Sequence, residues 1–288
     1  MRITSIGVGN MGGAVARRLT QGGFNVTVFD LDDSAMHRCV AAGTARSESM
    51  EEGVSDADVV ITSLPTPALV ARTVAQAAEL LPEGSIVMDI STIDPQAARA
   101  AGASCAEHGV RFVSCALGKT PGHAENGQIP LFVGGEATAI NELAAVFGQM
   151  GEKTYYFDDV EGATTFKLVS NMIGMTNVAT LSEGLALARR AGIDDGLFSE
   201  ALQDTGAVSF QSDVRLPWLI EGDWSTRFSV DLAAKDVSLA LEAAQARGLD
   251  APISRAALEQ LKAASSQGYG GNDVVAVARV YLEGETGE

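Results

Sequence analysis

Cysteine and histidine are scarce in this sequence, and neither is arranged as a bonding set. The three cysteines, Cys39, Cys105 and Cys115, form no CxxC pair, and the chain has three histidines. We therefore expect neither a disulfide framework nor a zinc site, and we predict no metal cofactor. Unpaired cysteines are typical of a reducing compartment, so we expect a cytoplasmic protein.

Basic residues are also few. Lysine and arginine together number 20, against 37 aspartates and glutamates, which gives a formal net charge of −17. Such a surface repels phosphate backbones and anionic lipid, so we expect no nucleic-acid partner and no membrane partner. Any anionic ligand would need positive charge that is placed locally.

Long apolar runs are absent as well, since no segment approaches the ~20 apolar residues of a membrane helix. A strand-like run begins at Ile3, next to Met1, so we expect no signal or transit peptide. An apolar content of 46% in 288 residues is typical of a soluble globular chain with one large or two ordinary domains. The polar segment 283–288 has nothing apolar to dock, and we expect it to fray.

Two patterns divide the chain. Up to about residue 157, short β-branched runs alternate with alanine-rich stretches, as in parallel βαβ units. Beyond Gly162 the apolar spacing is helical. The predicted strands cover residues 3–7, 24–29, 59–63, 85–90, 111–114, 131–133 and 154–157. The predicted helices of the second part cover a long stretch, 164–191, and then 197–203, 229–247 and 256–265.

A glycine-rich turn follows the first predicted strand directly and opens a helix. In a GxGxxG turn the first glycine permits a tight bend, and the second lets backbone N–H groups approach a pyrophosphate. The third lets the helix pack closely on the strand, with its N-terminus facing the anion. The candidate nucleotide-binding residues of this turn are Gly7, Gly9, Asn10, Met11 and Gly12.

An acidic residue completes the nucleotide pattern. The second predicted strand ends in Asp30, 18 residues beyond Gly12, where a carboxylate can accept hydrogen bonds from both adenosine ribose hydroxyls. Asp32 and Asp33 follow, and no arginine occurs until Arg38, so an additional 2′-phosphate would be repelled. The predicted cofactor is NAD rather than NADP.

These features predict the fold class and the domain organisation. We expect an α/β protein whose N-terminal domain, residues 1–161, is a doubly wound Rossmann domain that binds a dinucleotide. An all-helical domain, residues 162–288, should follow it. The long predicted helix should join the two domains.

Several segments match one family in the same order. They are residues 7–12, the Leu64-Pro65 step, the Asp-Ile-Ser-Thr run 89–92, the loop 112–127, the segment 162–171 and the segment 228–236. On these segments the chain resembles the β-hydroxyacid dehydrogenases, a family that includes 3-hydroxyisobutyrate dehydrogenase, tartronate semialdehyde reductase and sulfolactaldehyde reductase. The resemblance implies an oxidoreductase that transfers a hydride between NAD(H) and a small β-hydroxy acid or semialdehyde.

The resemblance also implies roles for single residues. Leu64 and Pro65 would line the cofactor cleft, and Thr92 would lie near the nicotinamide. Lys167 occupies the position of the family's catalytic lysine, where a partly desolvated ammonium can exchange the hydroxyl proton. Asn171, four residues further along the helix, would orient the substrate. Lys235 matches a lysine that closes over cofactor and substrate.

The substrate loop departs from the family pattern. Gly118 replaces the usual serine, and Lys119 and Thr120 replace two glycines, which puts 3-hydroxyisobutyrate itself in doubt as the substrate. We expect these three residues to bind substrate. In so acidic a chain, Lys119 would supply the local positive charge that reads a carboxylate or sulfonate, as in sulfolactaldehyde or a succinic-semialdehyde-like compound.

Two other functions stay open at this point. An imine reductase with the same architecture is one, although such enzymes generally carry another residue at the position of Lys167. A protein that binds NAD without turnover is the other, and the combination of Lys167 with Asn171 speaks against it. By analogy with the family, we expect the helical domain, residues 162–288, to serve substrate binding and dimerisation, and we expect a homodimer or homotetramer.

Overall fold

The computed structural model describes residues 1–282, so segment 283–288, which we expected to fray, lies outside the described residues. Residues Met1–Lys167 form one compact unit, and the chain from Leu168 onward forms a second. The first unit holds the β-sheet, and residues 168–282 are helical. The predicted fold class, a Rossmann α/β part followed by an all-helical part, is confirmed.

The first unit is built on one sheet of eight strands in the order β3-β2-β1-β4-β5-β6-β7-β8. Every neighbouring pair is parallel except β6 and β7, which are antiparallel. The strands are β1 (Arg2–Ile6), β2 (Asn25–Phe29), β3 (Ala45–Arg46), β4 (Val59–Thr62), β5 (Ile86–Asp89), β6 (Arg111–Leu117), β7 (Ile129–Gly135) and β8 (Gly151–Phe157).

Helices connect these strands. They are α1 (Asn10–Gln21), α2 (Asp33–Val40), α3 (Met50–Val54), α4 (Pro67–Leu80), α5 (Pro95–Glu107), α6 (Pro121–Glu125), α7 (Ala137–Glu142) and α8 (Ala144–Met150). Both faces of the sheet are covered, since Val59 and Ile61 of β4 belong to one apolar core and Val60 to another. The alternation follows from the two-residue period of a strand.

The long helix α9 (Val160–Arg190) begins in the first unit and continues into the second. The further helices are α10 (Asp195–Gln203), α11 (Phe210–Glu221), α12 (Val230–Gln245), α13 (Pro252–Ala264) and α14 (Arg279–Leu282). A 3-10 helix, Val274–Ala278, contributes five buried residues to the cores of this unit. None of the helices within residues 1–282 combines the length and the apolar character that crossing a bilayer requires.

All seven predicted strands and the four predicted helices of the second part are present, with shifted ends. The strand β3 was not predicted, because its two residues are exposed and form no apolar pattern. The helix α11 was not predicted either. It contains Pro217, a residue that normally interrupts a helix.

Candidate functional site

The turn between β1 and α1 has the geometry that its glycines predict. Gly7 has φ +83°, and a Cβ there would lie 2.3 Å from the carbonyl oxygen of Ser63. A Cβ on Gly12 would lie 2.1 Å from the carbonyl oxygen of Gly7. The fold itself therefore requires glycine at both positions, whatever binds there.

Gly9 differs from these two glycines. A Cβ on Gly9 would have no protein atom within 4 Å, so protein packing gives no reason for glycine. Gly9 is the residue before α1, it makes no side-chain cap hydrogen bond, and no acidic residue lies in the first helical turn. Asn10 is exposed and Met11 is half-buried. The space beside Gly9 at the start of α1 is thus open, and an open helix N-terminus fits a bound pyrophosphate.

Asp30 follows β2 directly, and its carboxylate is held by two backbone groups. The N–H of Val8 donates to Oδ2 at 2.6 Å, and the N–H of Asp32 donates to Oδ1 at 2.9 Å. The carboxylate is therefore fixed beside the glycine turn, and each oxygen keeps a lone pair for a further donor. The next residue, Leu31, is 94% exposed.

Two acidic residues, Asp32 and Asp33, follow Asp30 on the chain, and one exposed arginine, Arg38, comes after them. Asp32 caps α2, and its hydrogen bonds with Ser34 lower the pKa of its carboxyl. Arg46 pairs with Asp33 at 3.0 Å and with Glu48 at 3.3 Å. The guanidinium of Arg46 is thus partly neutralised by carboxylates.

Leu64, Pro65 and Thr92 lie in turns that follow two neighbouring strands. Leu64 and Pro65 come after β4, and Thr92 comes after β5. Since β1, β4 and β5 are parallel neighbours, these turns lie at the same edge of the sheet as the glycine turn. This carboxyl edge is where open α/β sheets bind their ligands.

The predicted substrate loop joins β6 to α6. The N–H of Gly118 donates to the carbonyl oxygen of Pro130 at 3.0 Å, and a Cβ on Gly118 would lie 2.6 Å from Pro130 Cγ. Lys119 has φ +62° and is the one non-glycine residue with positive φ among residues 1–282. Its ammonium donates to the carbonyl oxygen of Gln128 at 2.7 Å and lies 3.6 Å from Glu152 Oε2. The positive charge of Lys119 therefore already has a carboxylate neighbour.

Two other residues of this loop region were ambiguous from the sequence. Thr120 Oγ1 lies 2.7 Å from His123 Nδ1, so His123 contacts a predicted substrate residue. Cys115 is fully buried, and burial raises the pKa of its thiol. Cys115 therefore acts as a small packing residue and not as a nucleophile.

On α9, Lys167 and Asn171 are four residues apart and hence on the same helical face. Both are half-buried, and Leu168 between them is fully buried. Asn171 Nδ2 donates to Asp236 Oδ2 at 2.5 Å. Lys235 Nζ lies 2.8 Å from Asp236 Oδ1.

Asp236 is the residue of this group that the sequence analysis did not select. It is 1% exposed, and its carboxylate meets Asn171 of α9 as well as its own neighbour Lys235. The signal was helical periodicity, because Asp236 shares a face of α12 with the buried residues Ala233 and Ala240. An acid on an apolar face has to be hydrogen-bonded or paired.

A metal would need a cluster of ligands. The structure shows no group of three or more histidine, cysteine, aspartate or glutamate side chains suited to a metal ion within residues 1–282.

An α/β unit with this glycine turn and a carboxylate after β2 is the arrangement found in NAD(P)-binding oxidoreductases.

Comparison with known proteins gives the same class. Residues 2–158 match the family described as the NAD binding domain of 6-phosphogluconate dehydrogenase. Residues 162–281 match the family described as NAD-binding of NADP-dependent 3-hydroxyisobutyrate dehydrogenase. The chain belongs to the β-hydroxyacid dehydrogenase family, as the sequence motifs predicted.

Individual relatives are distant but match over nearly their whole length. An NAD-dependent L-serine dehydrogenase of Pseudomonas aeruginosa is 29% identical, with 97% of each chain covered. A 2-(hydroxymethyl)glutarate dehydrogenase of Eubacterium barkeri is 26% identical, covering 98% of this chain and 95% of the relative. The crystal structure of a 3-hydroxyisobutyrate dehydrogenase from Salmonella typhimurium superposes with a TM-score of 0.91 at 25% identity, covering 97% of this chain and 99% of that one.

Proposed function

We propose that this chain interconverts a small anionic β-hydroxy acid and its semialdehyde or ketone with NAD(H). The observation that supports the proposal most is the set of contacts made by the buried carboxylate of Asp236. It meets Asn171 and Lys235, two side chains that the family resemblance marks for function. Apolar residues of similar size often stabilise a fold as well as a buried ion pair does, so the presence of this pair supports a role in orienting functional side chains.

The cofactor would bind at the carboxyl edge of the sheet. The N–H groups at the start of α1, with Gly9, Asn10 and Met11, would receive the pyrophosphate, and Asp30 would accept the ribose hydroxyls. Asp30 and Asp32 would repel a 2′-phosphate, and Arg46 is already paired with Asp33. NAD is therefore the proposed cofactor, with Leu64, Pro65 and Thr92 lining the cleft for its other half.

Bound NAD(H) supplies the hydride acceptor or donor. Lys167 would hold the proton that leaves the substrate hydroxyl in oxidation, or donate it to the carbonyl oxygen in reduction. Asn171 would orient the substrate. Because one N–H of its amide donates to Asp236, this hydrogen bond fixes which side of the amide carries the nitrogen. Lys235, which pairs with the same carboxylate, would contact cofactor and substrate.

An anionic substrate end would be read by the loop with Gly118, Lys119 and Thr120. Lys119 has a carboxylate neighbour in Glu152, but the Glu152 side chain is 56% exposed. Such an exposed pair contributes about 1 kcal/mol or less, so a substrate carboxylate or sulfonate can compete for the ammonium. Because its pair with Glu152 is weak, Lys119 is the residue that we propose to bind the anionic end of the substrate.

The remaining proposals concern the domain boundary, the cellular location and the oligomeric state. We propose a domain boundary after residue 161, close to the change between the two matched families. A cytoplasmic location is supported by three cysteines that are buried and unbridged. A homodimer or homotetramer is supported by exposed apolar residues on α9, such as Ile173 and Leu187.

One experiment tests the function directly. NAD+ reduction and NADH oxidation would be measured against a panel of short β-hydroxy acids, semialdehydes, their sulfonated analogues and cyclic imines. We expect turnover with at least one hydroxy acid or semialdehyde. Turnover of imines alone would replace the proposal with imine reduction, and tight NAD+ binding without any turnover would indicate a binding protein.

A further inference from the structure

A hydrogen-bonded group of side chains lies where β4 and β5 end. Asp89 is the last residue of β5 and is 0% exposed. Its Oδ1 accepts hydrogen bonds from the hydroxyl of Thr62 at 2.7 Å and from the hydroxyl of Ser91 at 2.6 Å. Thr62 is the last residue of β4. The carboxylate therefore joins the ends of two parallel strands.

Ser91 extends this group to the turn that follows β4. The N–H of Leu64 donates to Ser91 Oγ at 2.9 Å. A continuous path of hydrogen bonds thus runs from the turn after β4, through Ser91, to the carboxylate that ends β5. Leu64 also lies against the glycine turn, because a Cβ on Gly7 would be 3.0 Å from Leu64 Cδ2. Three turns at the carboxyl edge are held in one arrangement.

Fold stability alone does not account for a carboxylate at this position. A buried carboxylate is costly even when it is hydrogen-bonded, and apolar residues of similar size are often equally or more stabilising. Val87, two residues earlier and therefore on the same face of β5 as Asp89, shows that this face accepts an apolar side chain in full burial. Unlike an apolar side chain, the carboxylate makes directional hydrogen bonds, and these fix where the two turns lie.

These turns belong to one half of the candidate cofactor site. In the sheet order β2-β1-β4-β5, the adenosine half of a bound dinucleotide would lie over β2, where Asp30 is, and the other half would lie over β4 and β5. We propose that Asp89 and Ser91 are positioning residues, which hold the Leu64–Pro65 turn and the Thr92 turn in the shape that binds the nicotinamide half of NAD. The inference rests on the proposed function.

Binding of two nucleotides separates this role from general support of the fold. NAD+ and ADP-ribose share the adenosine and pyrophosphate, and only NAD+ carries nicotinamide. The dissociation constants of both would be measured by calorimetry for the wild type, Ser91→Ala and Thr62→Val. Ser85→Ala is the matched control, since Ser85 is a buried serine near the opposite end of β5 that donates to the carbonyl oxygen of Ala57.

We expect Ser91→Ala to weaken NAD+ binding about tenfold, which is the size of effect that losing one buried hydrogen bond produces. ADP-ribose binding should stay within about twofold of the wild type, and Ser85→Ala should change neither constant. Equal weakening of both nucleotides, or no weakening of either, overturns the positioning role. If Ser91→Ala does not fold, Thr62→Val, which removes a donor at nearly constant volume, decides by the same criterion. A wild-type chain that binds neither nucleotide refutes the proposed cofactor function itself, and this inference with it.

Discussion

The candidate binding residues of the first unit act through the backbone, whereas those of the second unit act through side chains. In the first unit the nucleotide turn is backbone, formed by Gly7, Gly9 and the start of α1. In the second unit the corresponding features are side chains, and Asn171 meets Asp236 across a separation of 65 residues. A backbone site follows from a contiguous stretch of sequence, whereas a side-chain site depends on how helices pack.

The two units also differ in how they carry buried charge. In the first unit, one oxygen of the buried Asp89 side chain accepts hydrogen bonds from two hydroxyl groups. In the second unit, Arg215 and Asp273 form an ion pair at 2.7 Å with side chains that are 6% and 0% exposed. Asp273 also accepts the N–H groups of Arg227 and Phe228, at 3.0 Å each. The segment that leads into α12 is therefore anchored by this pair.

The largest effect on activity is expected for Lys167→Ala, a change on α9 at the last residue of the first unit. The variant removes the proton-exchanging group and the charge near the developing alkoxide, each worth roughly 10²-fold or more in comparable sites. We expect kcat to fall at least about 10²-fold, while NAD+ affinity is retained. Lys262→Ala is the control, because Lys262 is an exposed lysine on α13. If Lys167→Ala keeps more than about a tenth of kcat, Lys167 behaves as a surface lysine and its role is wrong.

The next prediction concerns the buried ion pair of Arg215 and Asp273 and its effect on the free energy of unfolding. Arg215→Met leaves Asp273 without its charged partner, and breaking a buried pair in this way costs about 3–5 kcal/mol of unfolding free energy. The control is Arg255→Met, which breaks an exposed pair with Asp250 and should cost about 1 kcal/mol or less. Urea unfolding with equal m-values measures both. Similar losses for the two variants would show that the buried pair contributes no more than a surface pair.

Much of the first unit could be predicted from sequence, because its signals are local. The glycine turn, Asp30 and the β-branched runs each lie within a few consecutive residues. The contacts of Asp236 and Lys119 could not be predicted in this way. Asp236 becomes a partner of Asn171 only when α9 and α12 pack, and Glu152 reaches Lys119 only through the strand order β6-β7-β8.

The backbone site is tested by the choice of cofactor. Because Asp30 is fixed by two N–H groups beside acidic neighbours, kcat/KM should favour NAD over NADP by at least about tenfold, or roughly 1.4 kcal/mol. Asp30→Ala should narrow this ratio. Asp213→Ala, in the first turn of α11, is a control that should leave the ratio unchanged. Equal use of NAD and NADP by the wild type would contradict the assignment.

At Lys119 both the backbone and the side chain are distinctive, because a charged side chain stands on a backbone with φ +62°. Lys119→Gln removes the charge and keeps the strained backbone, whereas Lys119→Gly removes the charge and relieves the strain. If the ammonium reads a carboxylate or sulfonate, both variants should raise KM for anionic substrates about tenfold and leave a neutral analogue nearly unchanged, because a charged hydrogen bond is worth about 1.5–3 kcal/mol. Lys153→Gln, on β8, is the control and should change neither KM. A rise in KM with Lys119→Gly alone would assign the effect to loop geometry, since Lys119→Gln removes the same charge. An equal rise for anionic and neutral substrates would remove Lys119 from the anion-binding role.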